Sequence, residues 1–138
     1  MFLVGLVYTS QTTDQFKTAS IEKILDTARR ENARNDISGV LYFNRKYFLQ
    51  CLEGSRSAVN ETYHRILKDP RHTNVALLDY NEISAREFDS WTMGFLPELR
   101  EISPLVKKFS GSANFDPYKM SGASCMQLLT SLQAASIH

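Results

Sequence analysis

Ile37-Ser38-Gly39-Val40-Leu41-Tyr42-Phe43-Asn44-Arg45-Lys46-Tyr47-Phe48-Leu49-Gln50-Cys51-Leu52-Glu53-Gly54 reads as two apolar strands folded back on each other across a short polar turn, Asn44-Arg45-Lys46. Val, Ile, Leu, Tyr and Phe dominate both arms, as a pleated and mostly buried hairpin requires. In the second arm side chains alternate. Phe48, Gln50 and Leu52 therefore share one face, and Tyr47, Leu49, Cys51 and Glu53 share the other. Gln50 thus points inward beside two apolar neighbours. A buried amide has donors and an acceptor that need partners, and leaving them unmade costs about 1–3 kcal/mol. Backbone groups, a buried water or a bound polar ligand are the alternatives that the strand leaves open.

Working outward, Phe2 to Thr9 reads as a strand with Phe2, Val4, Leu6 and Tyr8 on one side and Leu3, Gly5, Val7 and Thr9 on the other. Such near-continuous hydrophobicity marks a central strand covered on both faces. Ser10 to Lys17 is polar and turn-like. A helix follows, capped by Thr18 or Ser20, with Ile21, Ile24, Leu25 and Ala28 at helical spacing. Four residues further the same face carries Asn32, and Asn35-Asp36 ends the helix. Glu31, beside Asn32, is expected to face water.

After the hairpin, Gly54-Ser55 opens a second helix with the stripe Val59, Tyr63, Ile66 and Leu67, closed by Pro70. Strands are expected at Val75 to Tyr80 and at Trp91 to Leu96. Between them lies a polar segment anchored by Ile83 and Phe88. The order strand, helix, strand, strand, helix, strand, strand fits an α+β mixed sheet with both helices on one face. Ser103-Pro104 begins a short helix through Phe109, and a last helix runs from Ser121 with Cys125, Leu128, Leu129 and Leu132 as its stripe. That tail must bury its stripe on the sheet face the first two helices leave open, or against another subunit.

Composition narrows the function classes. At 138 residues, with 43% hydrophobic and 22% charged residues, the chain has the profile of a soluble globular domain with a core of its own. A formal net charge of +1 argues against a nucleic-acid binder working through bulk electrostatics. The two cysteines, Cys51 and Cys125, lie far apart without metal-type spacing, which suits a reducing cytoplasm. The apolar start, Met1 to Tyr8, lacks a basic flank and is too short to span a bilayer, so neither a targeting segment nor a membrane partner is expected.

Four polar or polarisable residues fall on elements that should converge: Tyr8, Asn32, Gln50 and Met93, with Trp91 beside the last. With them come Leu6-Val7-Tyr8-Thr9-Ser10, Ile37-Ser38-Gly39-Val40-Leu41, Phe48-Leu49-Gln50-Cys51-Leu52-Glu53-Gly54, Asp69-Pro70-Arg71-His72 and Trp91-Thr92-Met93. In these motifs, from about Met1 to Arg100, the chain resembles the BLUF family of flavin-binding blue-light sensor domains. Its tail resembles that of short, stand-alone cyanobacterial-type members.

The resemblance implies a ferredoxin-like βαββαββ domain over residues 1–100 and a helical extension over 101–138. It implies FAD as cofactor, with FMN or riboflavin as substitutes, held between the two helices. Ile24, Phe48 and Ile66 would wall the ring, while Asn32, Gln50 and Arg71 would meet its polar edge. Tyr8, Gln50, Met93 and Trp91 would form the photoswitch. By similarity, light drives an electron and then a proton from Tyr8 by way of Gln50. Their return leaves Gln50 rotated or tautomerised, with a new hydrogen bond to the flavin C4 carbonyl and a small red shift. The resemblance further implies no enzymatic activity, a homo-oligomer, and a downstream signalling partner such as a response-regulator-like protein.

Rival readings share the element order. An RNA-recognition domain would need a basic-glycine-aromatic run on its third strand, which Lys46-Tyr47-Phe48-Leu49-Gln50 lacks. An acylphosphatase would need an arginine-bearing loop after the first strand, where Thr9 to Asp14 has none. His64, His72 and His138 have no metal spacing. A flavin-free protein-interaction module of the same fold is the remaining alternative.

Overall fold

The computed structural model describes residues 2–17, 19–44, 46–96, 103–111 and 114–136. Strand β1 (Leu3–Thr12) leads into helix α1 (Ser20–Asn35), then the hairpin β2 (Ser38–Asn44) and β3 (Tyr47–Ser55). Helix α2 (Arg56–Leu67), strand β4 (His72–Glu82) and the short β5 (Gly94–Leu96) complete the sheet layer. The tail carries α3 (Ser103–Ser110), a 3-10 turn (Pro117–Lys119) and α4 (Gly122–Ser136). The five strands form one sheet in the order β4-β1-β3-β2-β5, antiparallel except where β5 runs parallel to β2. This is the expected ferredoxin-like α+β arrangement.

The alternation read in β1 and β3 splits the interior into two cores. On one face Val4, Leu6, Tyr8, Phe48 and Leu52 pack with Ile21 and Leu25 of α1 and Val59 of α2. On the other, Val7, Leu49 and Cys51 pack with Val106 of α3 and with Cys125, Leu128, Leu129 and Leu132 of α4. The tail therefore covers the face that α1 and α2 leave open, the first of its two expected solutions. Both cysteines are free and buried in this second core.

Several local expectations need correction. β1 continues to Thr12, so Ser10 lies in the sheet and is fully buried rather than in a turn. Its hydroxyl meets His72, and His72 itself opens β4 three residues before the expected start. β5 spans only Gly94–Leu96, because Trp91 to Met93 is bent and its carbonyls bond side chains and β2 instead of a strand ladder. α1 begins after Ala19 without a side-chain cap, so Ser20 is not its cap, and Thr18 lies outside the described residues. At its other end Asp36, not Asn35, takes the left-handed conformation, at φ 55°. Leu67 of α2 is 48% exposed while Thr62 is buried, so the stripe runs through Thr62. Ser55 caps α2 as expected, accepting from the Ala58 amide at 3.3 Å.

Glu53 continues the Leu49-Cys51 face and is 1% exposed. One carboxyl oxygen accepts from the Phe88 amide at 2.9 Å and the Ser38 hydroxyl at 3.2 Å; the other accepts from the Glu87 amide at 2.8 Å. Arg86 reinforces this corner by donating to the Glu53 main-chain carbonyl at 3.1 Å and to Ser38 at 3.0 Å. Glu53 thereby ties the segment before Trp91 to the central strand. Removing its carboxyl strands the buried Phe88 amide and takes its partner from the part-buried Glu87 amide. Glu53→Ala is expected to lower the unfolding free energy by about 3 kcal/mol. Urea denaturation checks this, and a loss below about 1 kcal/mol would show that water can replace the carboxyl.

Candidate functional site

Between α1, α2 and the sheet lies a cavity of about 380 Å³, within the usual range for small-molecule sites. Ile24 and Ala28 of α1, Ile66 of α2, and Leu41, Phe48 and Leu52 of the sheet give it apolar walls. Tyr8, Asn32, Gln50, Arg71 and His72 place polar atoms around it, with Glu31, Arg65 and Asp69 also in its lining. The stripe spacing of the two helices is what turns Ile24 and Ile66 toward the sheet. Strand alternation turns Tyr8 and Gln50 toward the helices.

Tyr8 and Gln50 are direct cross-strand partners in the β1–β3 pairing, so their side chains stand side by side. The Tyr8 hydroxyl donates to Gln50 Oε1. Burial pushes the Tyr8 phenol far above its ordinary range, and the nearby Tyr63 and Asp69 add to the effect. The phenol is therefore held protonated and acts as the donor. Gln50 Oε1 must accept from it, which leaves Nε2 to donate to Met93 Sδ at 3.3 Å. The amide that looks out of place in the sequence is thus satisfied by two side chains, a phenol and a thioether. Tyr63 packs edge-on against Tyr8, with ring centres 5.6 Å apart.

Asn32, 2% exposed, donates through Nδ2 to the Thr92 carbonyl at 2.7 Å while lining the cavity. Glu31 does not simply face water: it lines the cavity and pairs with Arg65 at 3.4 Å and Arg34 at 3.8 Å. Arg71 grips Asp69 through Nε at 3.0 Å and Nη2 at 2.6 Å. Burial works to raise the Asp69 carboxyl, but the Arg71 hydrogen bonds outweigh it and hold the carboxyl below the usual range. The remaining Arg71 N–H groups are left for another acceptor. His72 bonds the Ile66 carbonyl through Nε2 at 2.8 Å and the Ser10 hydroxyl through Nδ1 at 2.8 Å. A carbonyl only accepts, so Nε2 carries the proton.

Of the residues singled out from sequence, Tyr8, Ile24, Asn32, Phe48, Gln50, Ile66 and Arg71 all line the cavity. Met93 touches it through Gln50, and Met93 packs with the helix-side core. Trp91 packs with the tail-side core, its ring 6.5 Å from that of Phe88. Thr27, Thr62 and Arg65, which the sequence pattern does not mark, also line the cavity. Thr27 and Arg65 lie one residue off the apolar stripes, at the rim where periodicity carries no signal. His72 lines the cavity too, and its signal in the sequence is adjacency to Arg71.

The family described as sensors of blue light using FAD matches residues 3–94. Among curated proteins, the photoactivated adenylate cyclase subunit beta of Euglena gracilis is 34% identical over 125 residues, 83% of this chain. The blue light- and temperature-regulated antirepressor BluF of Escherichia coli (strain K12) is 37% identical over 86 residues, 62% of this chain. The chain spans only 15% and 21% of the length of these two relatives. Among solved structures, BlsA in its photo-activated state superposes with a TM-score of 0.87 at 30% identity, covering 94% of each chain. The dark state of the BLUF protein BlrB gives a TM-score of 0.81 at 33% identity, covering 98% of this chain and 97% of that one. The flavin-free reading gives way to these matches: the chain belongs to the BLUF family, the flavin-binding sensors of blue light that use FAD.

Proposed function

We propose that Tyr8 and Gln50 form the photoswitch of this sensor, with Met93 as the residue that registers the state of Gln50. The observation that carries the reading is the unbroken chain Tyr8–Gln50–Met93, whose first two members line the cavity and whose third lies behind Gln50. A flavin ring is flat, apolar at its benzenoid edge and polar at its pyrimidine edge. The cavity offers the complement: Ile24, Phe48 and Ile66 for the ring, and Asn32, Gln50 and Arg71 for the polar edge. The bound flavin supplies blue-light absorption and an excited state able to accept an electron.

The protein side of the chemistry follows from the bonds present. Tyr8 holds an oxidisable phenol whose proton already points at Gln50 Oε1. A proton passing that way leaves the Gln50 amide free to turn or tautomerise, which moves its donor off the Met93 sulfur. Two arrangements of one amide, each with different neighbours, give the protein two states that light can select between. Trp91, two residues before Met93 and packed with the tail-side core, links that change to α3 and α4. We read 101–138 as a helical extension of a flavin-binding domain at 1–100, and output as passing to a downstream signalling protein rather than through catalysis within the chain. Among the described residues no helix is long and apolar enough to cross a membrane. A cytoplasmic homo-oligomer is our reading.

Tyr8→Phe is expected to bind flavin yet lose the reversible red shift, and Gln50→Leu to do the same, since leucine fills the space but neither accepts nor donates. Dark-minus-lit difference spectra with thermal melts test both. A folded, yellow variant that keeps the full shift would remove that residue from the switch.

Asn32→Ala and Arg71→Ala should each weaken flavin binding by about 1–3 kcal/mol, measured by equilibrium titration. Unchanged affinity in both would place the ring elsewhere.

His72 supplies a pH test. Burial lowers its pKa below 6.5, against the raising effect of the Ile66 carbonyl. Below pH 6.5 the unfolded chain binds a proton that the folded one resists, so stability falls as pH drops through that value toward the folded pKa. His72→Gln is expected to flatten this part of the stability-versus-pH curve, read from melts between about pH 7.5 and 5.

A further inference from the structure

Trp91, Thr92 and Met93 form a strap whose three successive carbonyls are each taken by one donor. The Gly39 amide holds Trp91 at 2.9 Å, Asn32 Nδ2 holds Thr92 at 2.7 Å, and Arg29 Nε holds Met93 at 3.0 Å. Gly39 is fixed in β2, where a side chain would overlap the Cys51 carbonyl, and Asn32 is buried. Arg29 differs from both. It is an exposed side chain one turn before Asn32 on α1, and its only described contact is this reach to the strap. Met93 is therefore gripped twice, by Arg29 at its carbonyl and by Gln50 Nε2 at its sulfur, 3.3 Å away.

The geometry points to Arg29 as a positioning residue of the switch: it holds the Met93 main chain where the sulfur meets Gln50, and so sets how quickly the lit state returns to the dark one. This role rests on the Tyr8–Gln50 reading above. A thioether on a flexible, unbranched side chain has a well-defined place only as far as its backbone is held. When the Gln50 amide turns, Oε1 comes to face the sulfur and the N–H···S bond is lost, because sulfur accepts but does not donate. With its carbonyl still held by Arg29, Met93 stays beside Gln50, and its sulfur is in place when the amide turns back. Without Arg29 the return must also wait for the strap to find its position again.

The experiment follows the decay of the red-shifted state in the dark for the full flavin-loaded chain. Arg29→Ala, an exposed change to a better helix former, is expected to slow decay by about two- to fivefold. Its dark spectrum and melting midpoint should match wild type. Arg29→Lys, which keeps a donor, should lie nearer wild type, and Arg30→Ala on the same helix should decay normally. In a Met93→Ala background, adding Arg29→Ala should change nothing, because no sulfur remains to be placed. If wild type cycles while Arg29→Ala decays at the same rate or faster, or if the two effects simply add, the Arg29 role is overturned and the switch reading stands. A wild-type protein with no light-driven shift would overturn the switch itself, and this role with it.

Discussion

The hydrogen bond between Tyr8 and Gln50 depends on one constraint, the register of β1 against β3. Tyr8 and Gln50 are Cα partners in a nine-pair antiparallel ladder running from Leu3↔Ser55 to Gln11↔Tyr47. A slip of one residue would send one of the pair to the tail side of the sheet and break the contact. The slip is costly because both faces are packed: Leu6 and Leu52 belong to one core, Val7 and Cys51 to the other. The apolar pattern that makes the sheet thus also places the phenol against the amide. Cavity walls from α1 and α2 then need only the ordinary helical stripe.

This explains what could be read from the chain alone. Period-2 alternation in the hairpin put Gln50 on an apolar face, and helical spacing put Asn32 and Ile66 on packing faces. Those are local rules, and the buried Gln50 and Asn32 and the packed Ile66 obey them. What escaped was set by partners distant in sequence. Ser10 and His72 look like turn residues, but each satisfies the other across 62 positions, which lets polar chain ends enter the sheet. Trp91 to Met93 has strand composition, yet its carbonyls go to Arg29, Asn32 and Gly39, none of which a local pattern would pair with it. Glu53 left a legible trace, an acid continuing an apolar face, but its partners in the segment around Phe88 did not.

The strap also shows why the two cores are not independent. Trp91 and Met93 are two residues apart, and they belong to opposite sides of the sheet. Met93 beside Gln50 and Trp91 in the layer under α3 and α4 are thus joined by a short stretch of covalent chain. Glu53 and Arg86 fasten the incoming end of the strap, Glu53 through the Glu87 and Phe88 amides and Arg86 through the Glu53 carbonyl.

The two free thiols make that tail layer chemically legible. Cys51 in β3 and Cys125 in α4 are both sealed within the tail-side core. Burial pushes the Cys125 thiol up to about 12, and it raises Cys51 as well, with Glu53 adding to the effect. A protonated, enclosed thiol is a poor nucleophile, and docking of α4 keeps Cys125, which it carries, in that condition. The rate at which Cys125 is alkylated is thus a built-in gauge of how often α4 leaves the sheet, carried on a native side chain.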